Sequence, residues 1–322
     1  RSTPVVFDGR LRPQLAGPTP REGGSNMNEA NNINTEVLDH TVKRLCRVSE
    51  KNYIDPFARL EWPKELDRDT WFTSPELISI EGTPLWDELD ESQRKTLSFY
   101  EAVGFYSINI HGERSLIEGL ASRLYRKDSD GVTPYLHHFL DEENKHMVYF
   151  GRFCTRYANG PYPEKKLVFD QEYEKGEEDF LFFAKVMVFE EIVDLFNRIQ
   201  AKDDRLHPLA KEINWLHHFE EARHLSFGRE LVKVLWQRYS SDWSDEGLKR
   251  VRETIGSYIG ATWREYYNPS VYKDAGLADP FAVRKIALAH PASLARRTEI
   301  SAALLKFLST NGIVPNAKEL PL

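Results

Sequence analysis

The sequence predicts an all-α protein, a four-helix bundle with an N-terminal arm and extra C-terminal helices. Three observations lead there. Four stretches, 91 to about 126, about 134 to 157, 171–200 and 208–239, repeat apolar residues at alternating steps of three and four, the period of a helix with one buried face. Each is long for an ordinary globular helix, and long helices suit a bundle. No two short alternating runs are joined by a tight Gly- or Asn-bearing turn, so hairpins are not expected.

Taken in order, residues 1–35 are rich in Pro, Gly, Asn and Arg without a sustained apolar period. They read as an arm, either disordered or laid along a partner surface. Residues 36–322 read as a single domain with a bundle core at about 91–239 and a C-terminal helical extension at 243–310. A short helix is expected over 36–48. From 53 to 89, Trp62, Trp71 and Trp86 stand among Pro56, Pro63, Pro75 and Pro84. Proline at that density forbids one long helix, so an ordered loop pinned by its tryptophans is expected. Asp90, with Gln93 three residues on, resembles a capping box that opens the first long helix. Turn-forming residues at 127–134 and 159–163 end the first and second helices, and Pro208 suits the first turn of the fourth. Further helices are expected over 245–267, 280–289 and 291–309.

Composition narrows the function. A chain of 322 residues, 41% hydrophobic and 29% charged, can bury a sizeable core. A net charge of −7 argues against a nucleic-acid binder, which needs a basic face. No apolar run approaches the roughly 20 residues of a membrane span. Two cysteines, Cys46 and Cys154, are too few for a disulfide framework or a cysteine metal site. With no charged and then apolar leader at the start, the reading is a soluble cytoplasmic protein that binds neither nucleic acid nor membrane.

The chemistry lies on the apolar stripes. The first long helix reads Phe99, Val103, Tyr106, Ile110, Glu113, Ile117, Leu120, Leu124, with one glutamate in the middle of a buried face. A lone carboxylate there is costly unless it is paired or binds a cation. Glu101 and Glu118 share a different stripe with His111 and Ser115 and read as solvated. The second helix reads Leu136, Phe139, Glu143, His146, Phe150, Phe153, putting a Glu and a His three apart into the core. The fourth carries the same pair, Glu221 and His224, with His217 one turn earlier. At 100° per residue these three fall within about 60° of one another, whereas His218 falls off that face. The third offers Glu190 among Phe182, Phe183, Val186, Phe189, Val193 and Phe196, while Glu191 sides with Asp194 and Arg198.

The spacings repeat. Glu113 precedes Glu143-x-x-His146 by 30 residues, and Glu190 precedes Glu221-x-x-His224 by 31. One Glu-x-x-His is weak evidence in a charged helical chain; two at matching offsets, each with a buried partner Glu, are strong. Four carboxylates and two imidazoles on four helices form the ligand set of a ferritin-like di-iron or di-manganese site. Carboxylates bridge and hold oxidised metal, while imidazole suits iron. The expectation is two iron ions per chain activating O₂ as co-substrate, by way of a bridging peroxo species.

Here the sequence resembles a known family. The extra histidine in His217-x-x-x-Glu221-x-x-His224 resembles the p-aminobenzoate N-oxygenases, the AurF-type arylamine oxygenases, over roughly 71–239. The resemblance implies seven ligands: Glu113, Glu143, His146, Glu190, His217, Glu221 and His224. It implies oxygenation of a small-molecule amine, commonly on an aromatic ring, to hydroxylamine or nitro, with an external electron donor and a homodimer. The 1–35 arm and the chain beyond 239 carry no matching motif. The rival readings are a di-iron C–H hydroxylase or desaturase and, more distantly, a ferroxidase or storage protein.

Other residues have plainer readings. Glu142 and Glu220, each just before a ligand Glu, read as solvated helix charges, the alternative being that they orient a ligand His on a neighbouring helix. Gly104, Gly112 and Gly119 cost the first helix about 1 kcal/mol each against Ala, either opening a pocket or allowing close packing. His137 and His138 read as surface or capping residues. Phe150, not a tyrosine, lies one turn beyond His146. That counts against a radical-generating reductase subunit and leaves Tyr106 as the candidate redox-active neighbour.

Overall fold

A computed structural model describes residues 25–127, 129, 131–164 and 172–322. The opening helix, α1 (Ser25–Lys51), begins inside the stretch read as an arm; residues 1–24 lie outside the described residues. The loop from 53 to 89 contains a 3₁₀ turn at Pro75–Leu77 and a short α2 (Pro84–Asp87). Its pins differ from those expected. Phe72, Ile78 and Ile80 are fully buried, whereas Trp62, Trp71 and Trp86 are half-buried. Phenyl and aliphatic side chains enter a core without carrying a donor that needs a partner, as indole does.

α3 (Glu91–Ala121) opens on the capping box: Gln93 N–H donates to the Asp90 carboxylate at 2.8 Å, and Asp90 N–H donates to the Gln93 side chain at 2.9 Å. α4 (Thr133–Tyr157) and α5 (Glu177–Gln200) follow. Gly176 ahead of α5 has φ 75°, and a Cβ there would meet the ring of Tyr239, so only glycine fits. α6 (Pro208–Tyr239) is capped by His207 Nδ1, which accepts from Leu209 N–H at 3.1 Å. Then come α7 (Asp245–Glu265), α8 (Pro269–Asp274), α9 (Pro280–Ala289) and α10 (Pro291–Thr310). The sequence reading had no α8, which at six residues is too short to show a period; its signature is the Asn268 cap followed by Pro269.

α3 pairs with α4 and α5 with α6, and contacts of α3 with α5 and α4 with α6 close the square. Facing residues fix the directions. Gly112 and Gly119 on α3 meet Phe189 and Phe182 on α5, while Glu142 and His146 on α4 meet His224 and Glu220 on α6. Both pairs are therefore antiparallel. α4 and α5 run the same way, which is the wiring of a ferritin-like bundle with one long crossover. α1 lies on α4 and α6, α7 and α10 on α5, and α8 on α3.

The main core fills the bundle, and a second cluster ties loop to extension. In the latter, Ile78 and Ile80 of the loop pack with Leu97 of α3, Val271 and Tyr272 of α8 and Val283 of α9. At roughly 1.5–3 kcal/mol per buried large apolar side chain, this cluster clamps the wrapping loop on the bundle. Among the described residues no strand forms beyond an isolated bridge between Trp71 and Leu206, and no helix is long and apolar enough to cross a membrane.

Candidate metal centre

Midway along the bundle the four helices bring together all seven residues singled out by sequence. Glu113, Glu143, His146, Glu190, His217, Glu221 and His224 are each at most 3% exposed. Their ligating atoms fall into two sets, each lying within 4.8 Å: Glu113, His146 and His217 in one; Glu143, Glu190, Glu221 and His224 in the other. The two Glu-x-x-His histidines thus belong to different sets.

Two carboxylates lie between the sets. Glu221 Oε1 is 3.4 Å from His146 Nδ1, 3.3 Å from His217 Nε2 and 3.3 Å from His224 Nδ1. Glu143 turns Oε1 to His224 Nδ1 at 2.9 Å and Oε2 toward His146 Nδ1 at 3.8 Å. Glu113 and Glu190 each stand in one set.

The outer face of each ring fixes the inner one. His146 Nε2–H donates to Glu220 Oε2 at 3.1 Å, and His224 Nε2–H donates to Glu142 Oε2 at 2.8 Å. With the proton held at Nε2, both Nδ1 lone pairs face inward. The arrangement is crosswise, since each histidine is held by the glutamate beside the other helix's inward-facing glutamate. Each outer carboxylate also meets, on the opposite helix, the cation that immediately precedes the histidine it holds. Arg223 donates to Glu142 at 2.7 Å, and Lys145 donates to Glu220 at 3.5 Å. Glu142 and Glu220 are buried, so they are not the solvated charges expected from sequence. The signal lay in a repeat, Glu-Glu-x-Lys-His over 142–146 and Glu-Glu-x-Arg-His over 220–224. The side-chain amide of Asn197 pairs with His217 Nδ1. For Nε2 to offer a lone pair, Nδ1 must carry the proton and the amide oxygen accept it, the orientation that also satisfies that otherwise unpartnered oxygen.

The cluster is short of positive charge. Glu113 Oε2, Glu143 Oε1, both oxygens of Glu190, Glu221 Oε2 and the Nδ1 atoms of His146 and His224 are buried without a hydrogen-bond partner, a density of orphaned groups far above the few a native core tolerates. A lone pair on His224 Nδ1 facing Glu143 Oε1 repels it unless a proton or metal ion lies among them. Burial raises the Glu113 and Glu190 carboxyls well above the usual range and raises Glu221, with neighbouring carboxylates adding to the effect. Burial acts likewise on Glu143, but His224 and His146 outweigh it and hold that group low. Burial opposes the charged forms of His146 and His224, yet the surrounding carboxylates raise both. His217 is held well below its ordinary value by burial and by the other two imidazoles. Two divalent ions would neutralise four carboxylates, and the oxygen-and-imidazole donors suit iron or manganese. The residues fit such a pair.

Other expectations fare unevenly. Glu118 is exposed as read. Glu101 is half-buried rather than solvated; its carboxylate accepts from Ser79 N–H at 3.2 Å and from the Ser79 hydroxyl, and burial pushes it up to about 7. His111 pairs with the Tyr162 carbonyl, His137 is exposed, and His138 is half-buried near Glu50. Tyr106 is separated from the centre by Phe150, whose ring lies 4.9 Å from Tyr106 and 5.0 Å from His217.

A carboxylate- and histidine-lined centre inside a bundle so wired defines a ferritin-like di-metal carboxylate protein. The chain belongs to the p-aminobenzoate N-oxygenase AurF family, whose sequence profile matches residues 35–312. Family and site make it a di-iron oxidase or oxygenase. It is 22% identical over 265 residues to uncharacterized proteins of Mycobacterium bovis and Mycobacterium tuberculosis, covering 78% of this chain and 76% of each relative. An R2-like ligand-binding oxidase from Sulfolobus acidocaldarius is similar in structure, with TM-score 0.43 and 14% identity over 88% of this chain and 94% of its own.

Proposed function

We propose that the protein is a non-heme di-iron N-oxygenase that converts an amine, commonly aromatic, to its hydroxylamine or nitro product. The observation that carries this reading is His217, a third imidazole whose Nε2 sits 3.1 Å from Glu113 Oε1 and 3.3 Å from Glu221 Oε1. A bound iron pair would supply electrons and open positions for O₂ that no side chain can supply. The seven residues would hold it, with Glu143 and Glu221 between the two positions. Glu142 and Glu220 keep the imidazole protons at Nε2, so the Nδ1 lone pairs stay available. Phe139, stacked 4.0 Å from His224, and Phe150 exclude water from the rings. Added donation from His217 makes an oxidant less electrophilic, which suits an electron-rich amine nitrogen better than a C–H bond.

A cavity of about 550 Å³ between α3, α5 and α7 supports an organic substrate. Phe182, Phe189 and Tyr258 give it aromatic walls, and Lys185 gives it a cation with no carboxylate partner among the described residues. That lysine suits an acidic group on the substrate. The reading further takes an external electron donor and a homodimer. The test is to count metal, then screen arylamines with O₂ for mass gains of about 16 (hydroxylamine) or about 30 (nitro). Turnover in the wild type should be lost in His217→Ala with most of the iron retained. Normal oxidation by that variant removes the reading's specific support, and products oxygenated at carbon favour a hydroxylase.

A further inference from the structure

We propose that Phe189 is the gate between the cavity and the metal centre and sets the width of organic molecule that can reach the metals. The inference rests on reading the cavity as the substrate chamber.

None of the seven donors lines the cavity, yet its wall is built from their neighbours. Gly112 precedes Glu113 and Phe189 precedes Glu190, while Leu116 and Val186 lie three and four residues from those glutamates on the same helix faces. A molecule in the cavity is thus one side chain away from the centre. Leu116 and Val186 are buried in the main core. Phe189 is only half-buried, with its ring tip against α3 and the cavity beside it. A Cβ at Gly112 would lie 2.5 Å from Phe189 Cζ and 2.7 Å from Cε1, so the ring occupies space that glycine alone leaves free.

A second rung shows what a fixed ring looks like. Phe182 packs on Gly119, seven residues along each helix, and lines the same cavity. It is pinned by the Arg123 guanidinium 3.9 Å over its face and by the Phe183 ring 4.9 Å away. Among the described residues no ring or cation packs on Phe189. Its contacts are non-directional and its open side is empty enough to receive it, so rotation about χ1 to another staggered well moves the ring into the cavity. The wall beside Glu113 and Glu190 then opens. Phe182, held by a cation–π contact and remote from the donors, does not gate.

The test uses the full-length protein loaded with iron and oxidised, with phenol and 4-phenylphenol as probes. A phenolate bound to ferric iron gives a visible charge-transfer band, so the band's growth reports arrival at the metal without turnover. The rate for 4-phenylphenol should rise at least tenfold in Phe189→Ala and severalfold in Phe189→Leu, and the rate for phenol should fall in Phe189→Trp, with iron per chain unchanged. Phe182→Ala, which enlarges the chamber without touching the gate, should accelerate 4-phenylphenol less than Phe189→Ala does, and Phe281→Ala, an exposed ring on α9, should leave both rates within twofold of wild type. Should Phe189→Ala not fold, the order Leu, Phe, Trp still decides. Rates indifferent to residue 189, or equal acceleration by Phe182→Ala, overturn the gate. A protein that follows the order but oxidises no amine keeps the gate and loses the N-oxygenase reading; one that oxidises amines with rates indifferent to residue 189 does the reverse. A chain that takes up no iron loses both.

Discussion

Replacing Glu142 by glutamine isolates what the outer carboxylates contribute. Glu142 accepts from His224 Nε2–H at 2.8 Å and from Arg223 at 2.7 and 3.1 Å, and both Glu142 and Arg223 are buried. A glutamine oxygen can still accept from His224, but the charge opposite the guanidinium is gone. Burial alone would raise the Glu142 carboxyl; His224 and Arg223 outweigh it and bring the group to about 2 from an ordinary 4.5. At about 1.4 kcal/mol per tenfold change, about 3 kcal/mol favours the ionised form in the folded chain. Breaking one partner of a buried pair costs about 3–5 kcal/mol by an independent route. Urea unfolding of the metal-free chain at pH 7 should therefore show Glu142→Gln about 2–4 kcal/mol less stable, with the exposed Glu118→Gln within about 0.5 kcal/mol of wild type. The native carboxyl is depressed, so its contribution is complete above pH 4.5 and is lost as pH falls toward 2; the gap between variant and wild type should close through that window. In competition with a chelator, Glu142→Gln should bind metal about 10–100-fold more weakly, because His224 loses the partner that orients it. Unchanged stability together with unchanged metal affinity would refute the reasoning.

Glu101, raised to about 7 by burial, should behave with the opposite sign. The folded chain keeps this proton up to about 7 while the unfolded chain releases it near 4.5, so the penalty builds between pH 4.5 and 7 and is complete above 7; Glu101→Gln should be stabilising by about 1–3 kcal/mol at pH 8 and near neutral at pH 4 in thermal melts. Gly119→Ala should lower stability by about 1–3 kcal/mol through collision with the Phe182 ring. Gly151→Ala, where a Cβ meets nothing within 4 Å, should gain about 0.5–1 kcal/mol; equal melting shifts for the two would contradict the packing. Lys185→Met should weaken binding of 4-aminobenzoate by about tenfold while leaving the neutral 4-aminobenzamide unaffected, and equal losses by calorimetry would show that the lysine does not read charge.

Sequence by itself determined what is local to one helix. Glu143 and His146, or His217, Glu221 and His224, share a face because 3.6 residues make a turn, whatever surrounds the helix. The apolar stripe around Glu113 and Glu190 announced that those carboxylates face the interior. Helix ends were legible for the same reason, since the Asp90–Gln93 box and the prolines at 208, 280 and 291 act within a few residues. Tertiary structure decided what depends on how elements turn toward one another. Glu142 lies beside Glu143 on the helix surface, where one residue's rotation of 100° separates core from rim. Only the approach of α6, bringing Arg223 and His224, buries it. Glu101 reads as solvated on α3 and is half-buried because the loop bearing Ser79, itself tied to Tyr272 of α8, packs against it. The cavity joins α3, α5 and α7, which sequence leaves unconnected. Burial is set by the area other elements remove from water, and a periodic pattern records only which face of a helix is apolar, not which neighbour covers the rest.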